Sequence, residues 1–107
     1  MLTDDAQQDL QEIYDYISEN DAPAKANYVL DSIEQVLAGL SNFPECGAWT
    51  KELLALGIRE YRETYFKPYR VIYRVIHSEE RRKIYIHLVF DGRRDMQALL
   101  QRRMFRT

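Results

Sequence analysis

The chain has 107 residues, 15 Lys and Arg against 17 Asp and Glu, a formal net charge of −2 and one cysteine. That length holds a single domain (1–107) with one modest core and excludes a second domain. One cysteine, Cys46, excludes an intrachain disulfide, and a sequence pI near 5.7 argues against a free-standing duplex-DNA binder.

The charge is nonetheless polarised. Residues 1–57 carry two Lys against eleven Asp and Glu, a net of −9, whereas residues 58–107 carry thirteen Lys and Arg against six acids, a net of +7. A basic half of this kind faces nucleic acid, a phosphate-rich machine or an acidic protein segment, unless the two halves neutralise each other across the fold. The opening Met1-Leu2-Thr3-Asp4-Asp5 has neither a basic n-region nor an apolar h-region, and no apolar run approaches membrane length. The expected location is therefore the cytoplasm, with no membrane partner.

Thr3 is a good N-cap, Asp4 and Asp5 suit the positive end of a helix dipole, and Ala6, Leu10, Ile13, Tyr14 and Ile17 share one helical face. A helix over about 4–19 follows, with Gln7, Gln8, Asp9, Gln11, Glu12, Asp15 and Glu19 assigned to its solvated side. Asn20-Asp21-Ala22 makes a turn and Pro23 opens a second helix, which runs to about Leu40 with Ala26, Val29, Leu30, Ile33, Val36, Leu37 and Leu40 as an apolar stripe. So short a turn predicts an antiparallel helical hairpin. Phe43 and Trp49 are read as a small hydrophobic plug beneath the loop that follows.

From Gly57 the period changes to two. Strands are predicted at about 58–65, 69–77 and 83–90, joined at Lys67-Pro68 and Ser78–Arg82, and a last helix, capped by Asp95, runs through Met96, Leu99 and Leu100 and displays Arg102, Arg103 and Arg106. The fold class is α+β: an N-terminal antiparallel helical hairpin on one face of a three-strand antiparallel meander, the other face left available, and a short C-terminal helix.

Alternation assigns Ile84, Ile86, Leu88 and Phe90 to the core face, with Tyr85, His87 and Val89 opposite. In the middle strand, burying Val71, Tyr73 and Val75 leaves Arg70, Ile72 and Arg74 on the open face. An unpartnered arginine is too costly to bury, so Arg70 and Arg74 are expected to meet water or a ligand. With Arg59, Tyr61, Arg62, Arg93 and Arg94 they compose a candidate basic and aromatic groove around His87. The alternative is ordinary cross-strand pairing of these arginines with Glu60 or Glu63. There is no P-loop, no Gly-x-Gly-x-x-Gly, no zinc-spaced His/Cys cluster and no nucleophile motif, so no metal or cofactor is expected.

Tyr69-Arg70-Val71-Ile72-Tyr73-Arg74-Val75, followed by Val89-Phe90-Asp91-Gly92-Arg93-Arg94-Asp95, resembles the RelE/ParE superfamily of bacterial toxin–antitoxin toxins. The first-helix pattern Ala6, Asp9-Leu10, Ile13-Tyr14 and the stretch Gly57-Ile58-Arg59-Glu60-Tyr61-Arg62 extend the likeness over nearly the whole chain. The resemblance implies a plasmid-stabilising toxin silenced by a cognate antitoxin in a hetero-oligomer, touching DNA only through that antitoxin. ParE-like members inhibit DNA gyrase by protein contact, while RelE-like members cleave mRNA on the ribosome. Arg70 and Arg94 match the arginines that RelE-like enzymes place around the scissile phosphate, and His87 is the one candidate base. Tyr61 and Glu63, however, stand where those ribonucleases carry lysines, and the helical hairpin and Asp91–Asp95 ending look ParE-like. The resemblance therefore implies a ParE-like gyrase inhibitor using Arg59, Tyr61, Arg62, Arg70, Arg74, Arg93 and Arg94, with a RelE-like ribonuclease or a non-toxic antitoxin-binding module as alternatives. Family members also place a β-strand before the first helix, where this chain offers only Met1-Leu2, so an open sheet edge is expected.

Overall fold

The computed structural model describes residues 1–79 and 81–104. Arg106 of the predicted basic display, and Glu80 of the predicted hairpin loop, lie outside these residues. Helices α1 (Asp4–Asn20) and α2 (Pro23–Gly39) form the expected hairpin. The Thr3 hydroxyl accepts the Ala6 N–H at 3.1 Å, and Pro23 occupies the first turn of α2, where no N–H is needed.

Next come β1 (Ala48–Trp49), a single helical turn α3 (Lys51–Leu54), and strands β2 (Arg62–Phe66), β3 (Tyr69–His77) and β4 (Arg82–Asp91), before α4 (Met96–Met104). The sheet is antiparallel in the order β1-β2-β3-β4. It thus has four strands rather than the three of the expected meander; β1 has only two residues and is too short to leave a period-two signal. Its approach is set by Gly47, whose N–H donates to the Tyr73 hydroxyl at 3.0 Å. A Cβ on Gly47 would stand 2.5 Å from the Glu63 carbonyl oxygen and 2.6 Å from that hydroxyl.

The α1–α2 hairpin covers the inner face. Ala6, Leu10 and Ile17 meet Ala26, Val29, Ile33 and Leu40 over Val71, Tyr73, Ile86 and Val89. The outer face, expected to lie open, carries a second core: Leu53 of α3 and Met96, Leu99 and Leu100 of α4 bury Tyr61, Ile72, Leu88 and Phe90.

A β-bulge creates this division. Ile72 pairs with Leu88 but Tyr73 pairs with Ile86, so His87 is an extra residue in β4. Beyond it the alternation inverts. Ile84 and Ile86 belong to the inner core as expected, but Leu88 and Phe90 move to the outer core and Val89 moves inward.

The outer edge of β4 is not open. The Met1 ammonium donates to the Ile84 carbonyl at 2.7 Å, the Ile86 N–H donates to the Met1 carbonyl at 2.8 Å, and the Thr3 N–H donates to the Ile86 carbonyl at 3.0 Å. Farther along, the Val89 N–H donates to Asp9 Oδ2 at 3.0 Å, and Arg103 donates to the His87 carbonyl at 2.8 Å and to Asp9 Oδ1. Asp9 is therefore not solvated: it is 8% exposed, and burial pushes its carboxyl above the usual range against the pull of Val89 and Arg103. Phe43 and Trp49 differ from expectation in the opposite sense, for both are exposed and form no plug.

Removing one partner of a buried ion pair strands the other, so Asp9→Ala is expected to destabilise the fold by about 3–5 kcal/mol. Gly47→Ala is expected to cost about 1–3 kcal/mol through overpacking against Glu63 and Tyr73. Urea midpoints at unchanged m-value check both.

Candidate target-binding surface

Arg70 lies on the outer face beside Phe90, its guanidinium carbon 5.2 Å from the ring centroid. Its Nε and NH2 donate to Glu63 at 2.9 and 2.7 Å, and its NH1 and NH2 donate to Glu52 at 2.8 Å each. Four of the five guanidinium N–H donors are thus engaged. The side chain is only 14% exposed. Glu52 comes from α3 and Glu63 from β2, where its backbone pairs with Ile72, so both carboxylates converge under the same turn of chain. The Arg70 charge holds the Glu52 carboxyl below the usual range, and the two carboxylates hold Arg70 firmly protonated. Rather than meeting water or a ligand, Arg70 cements α3 to the sheet.

Arg74 behaves differently. It lies near the β3–β4 turn, opposite Tyr85, and is 3.5 Å from Glu60 with both side chains substantially exposed. Such a pair contributes at most about 1 kcal/mol. The cross-strand alternative therefore describes both arginines, with Arg70–Glu63 buried and Arg74–Glu60 loose. Arg59, adjacent to Glu60, is exposed.

Tyr61 is buried, its ring edge-on to His87 at a centroid separation of 5.4 Å. The Nε2 of His87 is buried without a hydrogen-bond partner. Burial, aided by the Arg74 charge, lowers its pKa. Arg62 lies on the inner face opposite Tyr73, where its guanidinium stacks 4.0 Å from the Trp49 ring centroid and donates to the Gly47 carbonyl at 2.8 Å.

At the other end of the sheet Arg93 is exposed and clamps Asp91, donating to its carboxylate oxygens at 2.9 and 2.6 Å. Arg94 is exposed and forms no salt bridge among the described residues. The single groove expected from the sequence is thus three places. Arg74, with Glu60 and so the adjacent Arg59, belongs to the half of the sheet toward the β3–β4 turn, Arg93 and Arg94 follow β4, and Arg62 is on the opposite face. Rising about 3.3 Å per residue, β3 separates the two ends by roughly 15 Å.

Arg93 and Arg94 border a groove of about 1000 Å³ between the helical hairpin and the β2–β3 turn, walled by Tyr16, Tyr28, Phe66 and Tyr69. Exposed Tyr16 and Tyr28 are the trace this groove leaves in the sequence, and helical periodicity alone does not separate them from an ordinary solvated face.

A helical hairpin on a short antiparallel sheet, with arginines along β3 and after β4, defines the RelE/ParE class of toxins. Residues 1–96 match the family described as the ParE toxin of the type II toxin–antitoxin system parDE, and the chain belongs to that family. No curated protein matches it. The family implies an antitoxin partner. No helix among the described residues is long and apolar enough to cross a membrane.

Arg70→Ala strands two carboxylates and is expected to cost about 3–5 kcal/mol, while Arg94→Ala changes stability by less than about 0.5 kcal/mol; thermal unfolding checks the contrast. His87, with a folded-state pKa below its unfolded value of about 6.5, contributes its full stability above that pH and loses it as pH falls. Urea midpoints of the wild type are therefore expected to decline between about pH 7 and 5 more steeply than those of His87→Phe.

Proposed function

We propose that this ParE-family toxin inhibits DNA gyrase by protein–protein contact, without chemistry of its own. A cognate antitoxin neutralises it in a hetero-oligomer and provides the only contact with DNA. The carrying observation is the state of Arg70. Cleavage of mRNA requires cations facing the charge that develops on phosphorus and a base within reach of the attacking hydroxyl. Arg70 with Glu52 and Glu63 sums to one negative charge, so a scissile phosphate would approach a repelling centre. His87, the candidate base, has its Nε2 buried. These features support recognition over catalysis.

The aromatic groove beside Arg94 supports the antitoxin part of this reading. Tyr16, Tyr28, Phe66 and Tyr69 offer an apolar trough with charges of both signs at its margin, Lys67 and Arg94 beside Glu12, Lys25 paired with Asp21 and Arg93 with Asp91. An amphipathic arm fits such a trough.

Supercoiling by purified gyrase tests the proposal. Toxin freed from antitoxin is expected to inhibit it, with activity restored on adding antitoxin, and mRNA on treated ribosomes is expected to stay intact. Undiminished supercoiling would overturn the gyrase reading, and cleaved mRNA would favour the ribonuclease.

A further inference from the structure

The outer face of the sheet is divided. Toward Phe90, α3 and α4 bury it; toward the β3–β4 turn, Arg74, Ile76, Lys83 and Tyr85 stay wholly or partly exposed. The register sets these four side by side, Arg74 opposite Tyr85 and Ile76 opposite Lys83, and directly opposed residues of antiparallel strands share a face. Ile76 is 36% exposed, a large aliphatic side chain in the centre of a charged neighbourhood. Arg59 stands at the rim, next to the Glu60 that reaches Arg74 at 3.5 Å.

We propose that this half-face is the docking site for an acidic segment of a partner protein; the inference rests on the reading that the chain works by protein contact and names the chemistry of that contact. Two cations on this face, Arg74 and Lys83, with exposed Arg59 preceding Glu60 in the chain, stand against one nearby carboxylate, Glu60, whose exposed ion pair with Arg74 is long and readily exchanged. An incoming carboxylate that meets the Arg74 guanidinium in fork geometry replaces Glu60 with a stronger partner. Tyr85 and Ile76 supply the apolar centre, and Arg with Tyr is the pairing that concentrates binding energy at protein interfaces.

A nucleic acid fits less well. A continuous phosphate chain is favoured by a run of cations, yet here the exposed Glu60 lies 3.5 Å from Arg74 and Glu79 is exposed in the turn. Such flanks repel a continuous phosphate chain but leave room for a short acidic peptide.

The test uses the full chain, a short labelled peptide of alternating Glu and Leu, and a single-stranded oligonucleotide of equal charge, read by fluorescence anisotropy. The wild type is expected to bind the peptide more tightly than the oligonucleotide, and Arg74→Glu combined with Lys83→Glu to weaken peptide binding by about tenfold or more. Unchanged peptide binding in the variant, or tighter binding of the oligonucleotide, would overturn the proposal. If charge reversal prevents folding, Arg74→Gln with Lys83→Gln, checked by its melting curve, carries the same comparison. Supercoiling assays separate the two readings: a wild type that leaves gyrase untouched sinks the gyrase target while the peptide result stands. A variant that loses neither peptide binding nor gyrase inhibition sinks the patch alone.

Discussion

The fold depends on how the outer edge of β4 is closed. An exposed strand edge presents unpaired N–H and C=O groups that invite another strand. Here the edge is capped in sequence by Met1, Thr3, Asp9 and Arg103. Asp9 and Arg103 lie 94 positions apart, so their pair ties the first helix to the last across the strand between them. Ionised Asp9 is costly to desolvate, and it is tolerated because one oxygen receives a backbone N–H and the other a guanidinium. The two layers that sandwich the sheet are thereby fixed relative to one another.

The bulge at His87 gives that sandwich two cores. A regular β4 would send Ile84, Ile86, Leu88 and Phe90 all to the helical hairpin, leaving α4 only Tyr61 and Ile72 to cover. One extra residue passes Leu88 and Phe90 to the other side, where α4 and Leu53 close over them. The sheet is therefore buried on both faces toward its Phe90 end and open on the outer face toward the β3–β4 turn. Loosely held cations occur on the open part, and the tightly held one lies under cover.

Elements with a repeated local signal were legible in the sequence. Thr3, the 3–4 spacing of Ala26 to Leu40 and the alternation of Val71, Tyr73 and Val75 each reflect a period that the fold retains. The bulge was not legible, because Ile84–Phe90 alternates without a break and only pairing with β3 reveals the surplus residue. The spacing of α1 puts Asp9 on the solvated side because helical periodicity does not register a strand N–H waiting across the core. Hydrophobicity alone puts Trp49 in a plug, whereas an arginine lying on its face lets it remain near water. Among the candidate site residues, Arg74 was correctly oriented. The burial of Arg70 depends on Glu52, eighteen positions away on a helical turn too short to announce itself.

The carboxylates around Arg70 decide what its guanidinium is free to do. Whether a guanidinium at this point of β3 is mortar or a working group is decided by the side chains at positions 52 and 63, not by the backbone that carries it. Freeing that guanidinium would need no rebuilding of the sheet, only the loss of two acidic neighbours. In sequence comparison, Arg70 is therefore an ambiguous marker of activity until positions 52 and 63 are read beside it.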